Sequence, residues 1–207
     1  MRRKSDPQRR RRQLCDAAIE LLGADGARGL SHPKVDRRAR MPAGTTSFYF
    51  RTRKALMHAV AARVTELDLA DLRAMSELAD DGDGLVSGTL GLATMVVLAG
   101  TAPWVTRTRA RYELAMEAGR EPELAEIMRQ STTQFHELVR RAVTHWQPDD
   151  CQPDSAVLDE QTYAVLRFVN GVMVESCQGH DPDRSAEQID RLIRAIIGGV
   201  REQRGPD

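Results

Sequence analysis

Lysine is almost missing from this chain, with three residues (positions 4, 34 and 54) among 30 basic side chains. Cysteine is equally sparse. Cys15, Cys151 and Cys177 are too few and too scattered to form a disulfide framework or a zinc site. No apolar run is long enough for a bilayer, since the longest, Leu90 to Ala102, is interrupted by Thr94 and Gly100. No secretory-leader pattern is visible, so a cytoplasmic location and no membrane partner are expected. The chain also lacks a phosphate-cradling glycine loop, a nucleophile motif and metal-ligand spacing. His136 and His145 lie nine apart and share no helix face. Glu113 and Glu117 are a carboxylate pair four apart, and the nearby Arg109 and Arg120 make them a solvated salt-bridged face. No enzyme, cofactor or metal is therefore expected.

Net charge is zero as well, which taken alone would exclude nucleic acid. Its distribution argues otherwise. Residues 1 to 63 hold 16 Lys and Arg against 5 Asp and Glu, an excess of eleven positive charges that the rest of the chain cancels. A basic front and an acidic rear mark a DNA-binding module joined to something that avoids DNA.

What is present is helical periodicity, and the expected fold is all-α with about nine helices. Residues 1–12, with Arg2, Arg3, Lys4 and the run Arg9 to Arg12, are expected to form a disordered basic arm, free to lie on DNA. A DNA-binding domain is expected over 13–68 and a ligand-binding and dimerisation domain over 69–207. The first helix should span Gln13 to Gly23 and be followed by a loop to Gly29. A fourth begins at Arg53, with Leu56, Val60, Val64 and Leu67 on one stripe. The acidic segment Ala79 to Gly84 reads as a turn, not a calcium loop, because the distal glutamate is absent. Later helices are expected from Leu85, Pro103, Pro122, Ser155 and Arg184.

The densest information lies between Leu30 and Leu56. Ser31 is an N-cap candidate, followed by Pro33 where a missing N–H costs little. Val35 and Ala39 form the inward face of a short helix that ends at Arg40 to Pro42. Ala43 to Ser47 then make little more than one turn, and Thr52 can cap the next helix. Such short helices cannot stand alone in water. Helix-turn-helix geometry explains them, with the second helix entering the major groove.

On Ser31, Val35, Ala39, Met41, Gly44, Thr45, Tyr49, Phe50, Arg53 and Leu56, this stretch resembles the TetR family of bacterial transcriptional regulators. Four positions depart from the family pattern. Asp36 replaces a small alanine, Arg40 the turn glycine, Ser47 a frequent tyrosine and Arg53 a frequent lysine. A left-handed backbone at Arg40 would cost roughly 1–2 kcal/mol. Thr45 and Thr46 are the expected base-edge contacts, with Ser47 beside them and Gly44 allowing close backbone approach. Ser31, His32, Lys34, Tyr49, Arg53 and Lys54 are expected to contact phosphates of double-stranded operator DNA.

The last two helices are strongly apolar. Val165, Val169 and Val172, then Ile189, Leu192, Ile193 and Ile196, are expected to pair with a second copy in a homodimer, which the resemblance also implies. The resemblance further implies a cavity for a small-molecule inducer among helices four to eight. Its expected lining is Met95, Trp104, Tyr112, Met116, Phe135, His136 and Phe168. Asn170, interrupting an apolar run, needs a partner such as the inducer, the other subunit or water. The expected function is a ligand-responsive repressor. An activator or ligand-independent regulator, or a helical interaction protein without DNA binding, are the alternatives.

Overall fold

In the computed structural model, residues 6–80, 88–147, 154–179 and 184–204 are described. The acidic turn expected after Ala79, the loop carrying Cys151 and the first five residues of the arm lie largely or wholly outside them. The described residues form helices α1 (Pro7–Gly29), α2 (His32–Arg38), α3 (Thr45–Tyr49), α4 (Arg53–Asp80), α5 (Gly88–Ala99), α6 (Trp104–Ala118), α7 (Pro122–His145), α8 (Ser155–Cys177) and α9 (Ala186–Arg204). No strand occurs among them. No single helix there is long and apolar enough to cross a membrane.

Two compact units divide the chain. One holds Met1–Asp68 with Val105–Ser131, and the other holds Leu69–Trp104 with Thr132–Asp207. The expected division at residue 68 takes no account of Val105–Ser131, which pack with the N-terminal residues.

The first unit surrounds Leu14, Ala18, Leu22, Val35, Leu56 and Leu114, each essentially without solvent exposure. Its largest correction concerns the arm. Asp6 caps α1 by accepting from the Gln8 N–H at 3.0 Å, with Pro7 in the first turn. Residues 7–12 are therefore helical. The Asp-Pro start signal outweighs the charge of the arginine run. Arg11 donates to the Tyr49 carbonyl at 3.2 Å and lies 4.6 Å above the Phe50 ring. Arg12 pairs with Glu66 at 3.3 Å.

The loop expected after Gly23 is instead a kinked continuation of α1, with Gly26 at φ 67°. Beyond the kink, the Ala27 N–H donates to Glu113 Oε2 on α6 at 2.8 Å. Glu113 thus satisfies backbone and is not simply part of a solvated ion-pair face. Cys15 is buried, which pushes its thiol up to about 11 and leaves it neutral and unreactive at physiological pH.

In the second unit, α5, α8 and α9 pack on one another. Gln161 is fully buried. Its amide donates to the Ile197 carbonyl at 2.9 Å and its oxygen accepts from Gln147 Nε2 at 2.9 Å. Arg194 joins Asp190 at 3.0 Å and donates to Thr89 Oγ1 at 3.3 Å, tying α9 to the start of α5.

This packing corrects the expected interface. Val165, Val169, Ile189 and Ile193 are buried within a single chain, so they are core. Only Val172, Leu192 and Ile196 of the expected set remain half-exposed. Two adjacent apolar helices do not require a second copy when a third, α5, covers them. Ile193→Asp is accordingly expected to destroy the fold and not merely to dissociate an oligomer, because a buried unpaired charge costs several kcal/mol. Far-UV circular dichroism with thermal melting checks this. A variant that keeps native helicity and melts cooperatively near the wild-type temperature would contradict it.

Candidate nucleic-acid interface

A seven-residue α2 and a five-residue α3 are both too short to persist without outside support. The support is a single carboxylate. Asp36, buried in α2, accepts from the Gly44 N–H at 2.8 Å, the Thr46 N–H at 2.7 Å and the Thr46 hydroxyl at 2.5 Å. It satisfies two of the first N–H groups of α3 and places a negative charge at the positive end of that helix. Asp36 is thus a remote cap for a helix whose own N-cap residue, Gly44, has no side chain to offer.

The turn between the helices reverses the chain so that these bonds can form. Arg40 takes a left-handed conformation with φ 53°. The Arg40 N–H donates to the Arg37 carbonyl at 3.2 Å and the Met41 N–H to the Asp36 carbonyl at 2.9 Å. That pair of bonds is a Schellman termination, with arginine in the place usually taken by glycine. Gly44 has φ 87°. A Cβ there would meet nothing within 4 Å of the chain, so glycine is required by backbone conformation and not by packing.

These bonds decide what α3 displays. Thr46 is fully buried with its hydroxyl on Asp36, so the expectation that it reads a base edge is corrected. Thr45 donates its hydroxyl to the Pro42 carbonyl at 2.6 Å. Ser47 and Phe48 point outward, Phe48 with 79% of its surface exposed. Phe48 was absent from the expected contacts, because the hydroxyl-rich sequence directs attention to its neighbours. The helix also begins and ends two residues later than the expected Ala43 to Ser47.

The expected phosphate contacts have mixed placements. Ser31 occupies the N-cap of α2 with extended backbone, yet makes no side-chain cap bond. His32 donates from Nε2 to the Phe50 carbonyl at 2.6 Å, which fixes its tautomer. Lys34 lies 3.5 Å from Asp25. Tyr49 is half-buried, with its ring edge-on to Phe48 at 5.2 Å. Arg53 donates to the Ala27 carbonyl at 2.5 Å. Thr52 caps α4 by accepting from the Ala55 N–H at 3.0 Å.

Lys54 is the most committed of the set. It pairs with Glu123 at 3.0 Å and Glu121 at 3.1 Å, and these hydrogen bonds raise its pKa. Glu121 also meets His58 Nε2 at 2.5 Å, and the His58 bond, then the Lys54 bond, lower its pKa. His58, Glu121 and Glu123 bring three ligand atoms within 4.8 Å of one another, but the Lys54 ammonium already supplies the cation between the two carboxylates.

The expected ligand-lining residues are divided between the two units. Tyr112 and Met116 belong to the first unit, whereas Met95, Trp104, Phe135, His136 and Phe168 belong to the second. Met116 is 69% exposed and His136 is exposed, so neither is enclosed within its unit. Asn170 donates to the Leu166 carbonyl of its own helix at 2.8 Å, so its amide nitrogen has a partner within the chain.

Stability separates these roles. Thr46→Ala removes a hydrogen bond to a buried carboxylate and is expected to cost roughly 1.5–3 kcal/mol. Arg40→Gly relieves the left-handed backbone and is expected to gain about 1 kcal/mol or less after the unfolded-state entropy of glycine is deducted. Urea denaturation midpoints test both. A neutral Thr46→Ala together with a destabilising Arg40→Gly would contradict this account of the turn.

Comparison with known proteins agrees with the architecture. The profile of the tetracyclin repressor-like C-terminal domain family matches residues 88–199, more than half of the chain. No curated protein matches. Among solved structures, the multidrug binding protein EbrR complexed with ethidium superposes with a TM-score of 0.63 at 24% identity, over 92% of this chain and 99% of that one. A TetR-family member from Streptomyces coelicolor gives 0.64 at 24% identity, over 92% and 98%. A transcriptional regulator from Rhodococcus gives 0.69 at 15% identity, over 93% and 96%. The helical order and the C-terminal domain profile matched over residues 88–199 place this chain in the TetR family of DNA-binding transcriptional regulators.

Proposed function

We propose that the protein is a ligand-responsive repressor that binds a partly palindromic operator as a homodimer. The observation that carries this reading is α3 itself. It is a five-residue helix held from behind by Asp36, presenting Ser47 and Phe48 outward from a region with eleven excess positive charges. A helix supported in this way fits the major groove, and the surrounding cations supply phosphate affinity. Ser31, Lys34, Tyr49 and Arg53 are the phosphate contacts we favour. The ion pairs of exposed cations such as Lys34 are worth little and exchange readily for phosphate. Lys54 is the least suited, since two carboxylates hold it.

A dimer would use the surface that the single-chain core leaves open. Tyr163 and Val174 on α8 are exposed large side chains, and Val172, Leu192 and Ile196 are half-exposed. Pairing α8 and α9 across a two-fold axis would cover them and set two reading heads on one duplex. Val174→Asp is expected to give a folded monomer in analytical ultracentrifugation, whereas a wild type that is monomeric at micromolar concentration would remove this assembly.

The inducer we favour is a mostly apolar small molecule in the second unit near Met95, Phe135 and Phe168, each of which is half-buried. EbrR is complexed with ethidium in one solved structure and with proflavin in another, which makes flat aromatic compounds reasonable first probes. Ligand can lower DNA affinity only by binding the two states unequally, and the coupling must be reciprocal. A coupling of about 1–3 kcal/mol is ordinary for such systems.

The test is fluorescence anisotropy against the chain's own upstream DNA over a salt series. Steeply salt-dependent binding is expected, together with symmetric protection in footprinting. Salt-independent binding or a single asymmetric half-site would contradict the repressor reading. Calorimetry of a bound probe with and without saturating operator tests the switch, and equal affinities would sink it.

A further inference from the structure

Phe48 is the most exposed large apolar side chain among the described residues. Phe48 is 79% exposed, while Thr46 is fully buried and Phe50 is 2% exposed. The Tyr49 ring, edge-on at 5.2 Å and 86°, braces it on one side. Two of the three hydroxyls in Thr45, Thr46 and Ser47 are engaged within the chain, on the Pro42 carbonyl and on Asp36. The exposed side chains of α3 are therefore one serine and one phenylalanine, beside the half-exposed Thr45 and Tyr49. Arg40, Arg51 and Arg53, close in sequence on either side of α3, are exposed cations.

A phenyl ring neither donates nor accepts a hydrogen bond, so it cannot read the polar edges of bases. The apolar group that the major groove displays is the C5 methyl of thymine. We propose that Phe48 reads a thymine methyl in each half-site and is the chief source of base discrimination by this chain. This inference rests on the DNA-binding reading above. It replaces hydrogen-bonded readout by threonines with apolar readout by one aromatic ring. Ser47, the exposed hydroxyl of α3, would supply a weak and tolerant second contact, because a hydroxyl can bond several bases.

Deoxyuridine differs from thymidine only in lacking that methyl. Operators are first selected from a random duplex library with the wild-type protein. Each thymine is then replaced singly by deoxyuridine, and affinity is measured by anisotropy at fixed salt. One position per half-site is expected to weaken binding about fourfold, the value of one methyl-sized group removed from water. Phe48→Ala is expected to bind the thymine and deoxyuridine duplexes equally, and Phe48→Leu to retain part of the preference. Because Phe48 is exposed, both variants should melt with the wild type, which a thermal scan verifies. Selected operators without a shared thymine, deoxyuridine substitutions without effect, or sensitivity that survives in Phe48→Ala would each overturn the inference while leaving DNA binding intact. Failure to select any duplex would overturn the DNA-binding reading and this inference with it.

Discussion

The carboxylate of Asp36 is the point on which the reading head depends. It is buried, and three donors from the start of α3 converge on it. Without it, those donors would be left unsatisfied beside a helix of five residues that has no independent stability. The left-handed residues on either side serve the same end. Arg40 reverses the chain after α2, and Gly44 turns its N–H back toward the carboxylate. The strain at Arg40 is tolerated because the bonds it permits are made to a charged acceptor in a dry environment, where they are strong.

A consequence of this arrangement is that the chemistry of α3 is divided by face. Two hydroxyls that a linear reading assigns to DNA, those of Thr45 and Thr46, hold the helix in place, and Phe48 is presented beside Ser47. The arginine run divides in a similar way. Arg11 is fixed by the Tyr49 carbonyl and the Phe50 ring, and Arg12 by Glu66. Their charges still add to the long-range field that attracts a polyanion. Their short-range bonds, however, secure α1 to α3 and α4.

In the second unit the same distinction applies to apolar residues. Hydropathy marks α8 and α9 as needing cover without saying what supplies it. Burial of Val165, Val169, Ile189 and Ile193 within one chain places them in the core with α5. Gln161 fits there because both ends of its amide are bonded, which removes the usual cost of a polar group in such a place.

The helical class, the helix-turn-helix, the Thr52 cap and the start of α7 at Pro122 were legible in the sequence. All depend on local rules, whether a repeat near 3.6 residues, a capping hydroxyl or a proline in a first turn, and local rules act within a few residues. The departures Asp36 and Arg40 were also visible, but their meaning was not. Whether a side chain caps a helix ten positions away, or whether Thr46 or Phe48 faces outward, depends on where a neighbouring helix lies. A rotation of one residue on a single-turn helix moves a side chain by about 100°. That angle is set by the Asp36 bonds, which only the folded chain brings together.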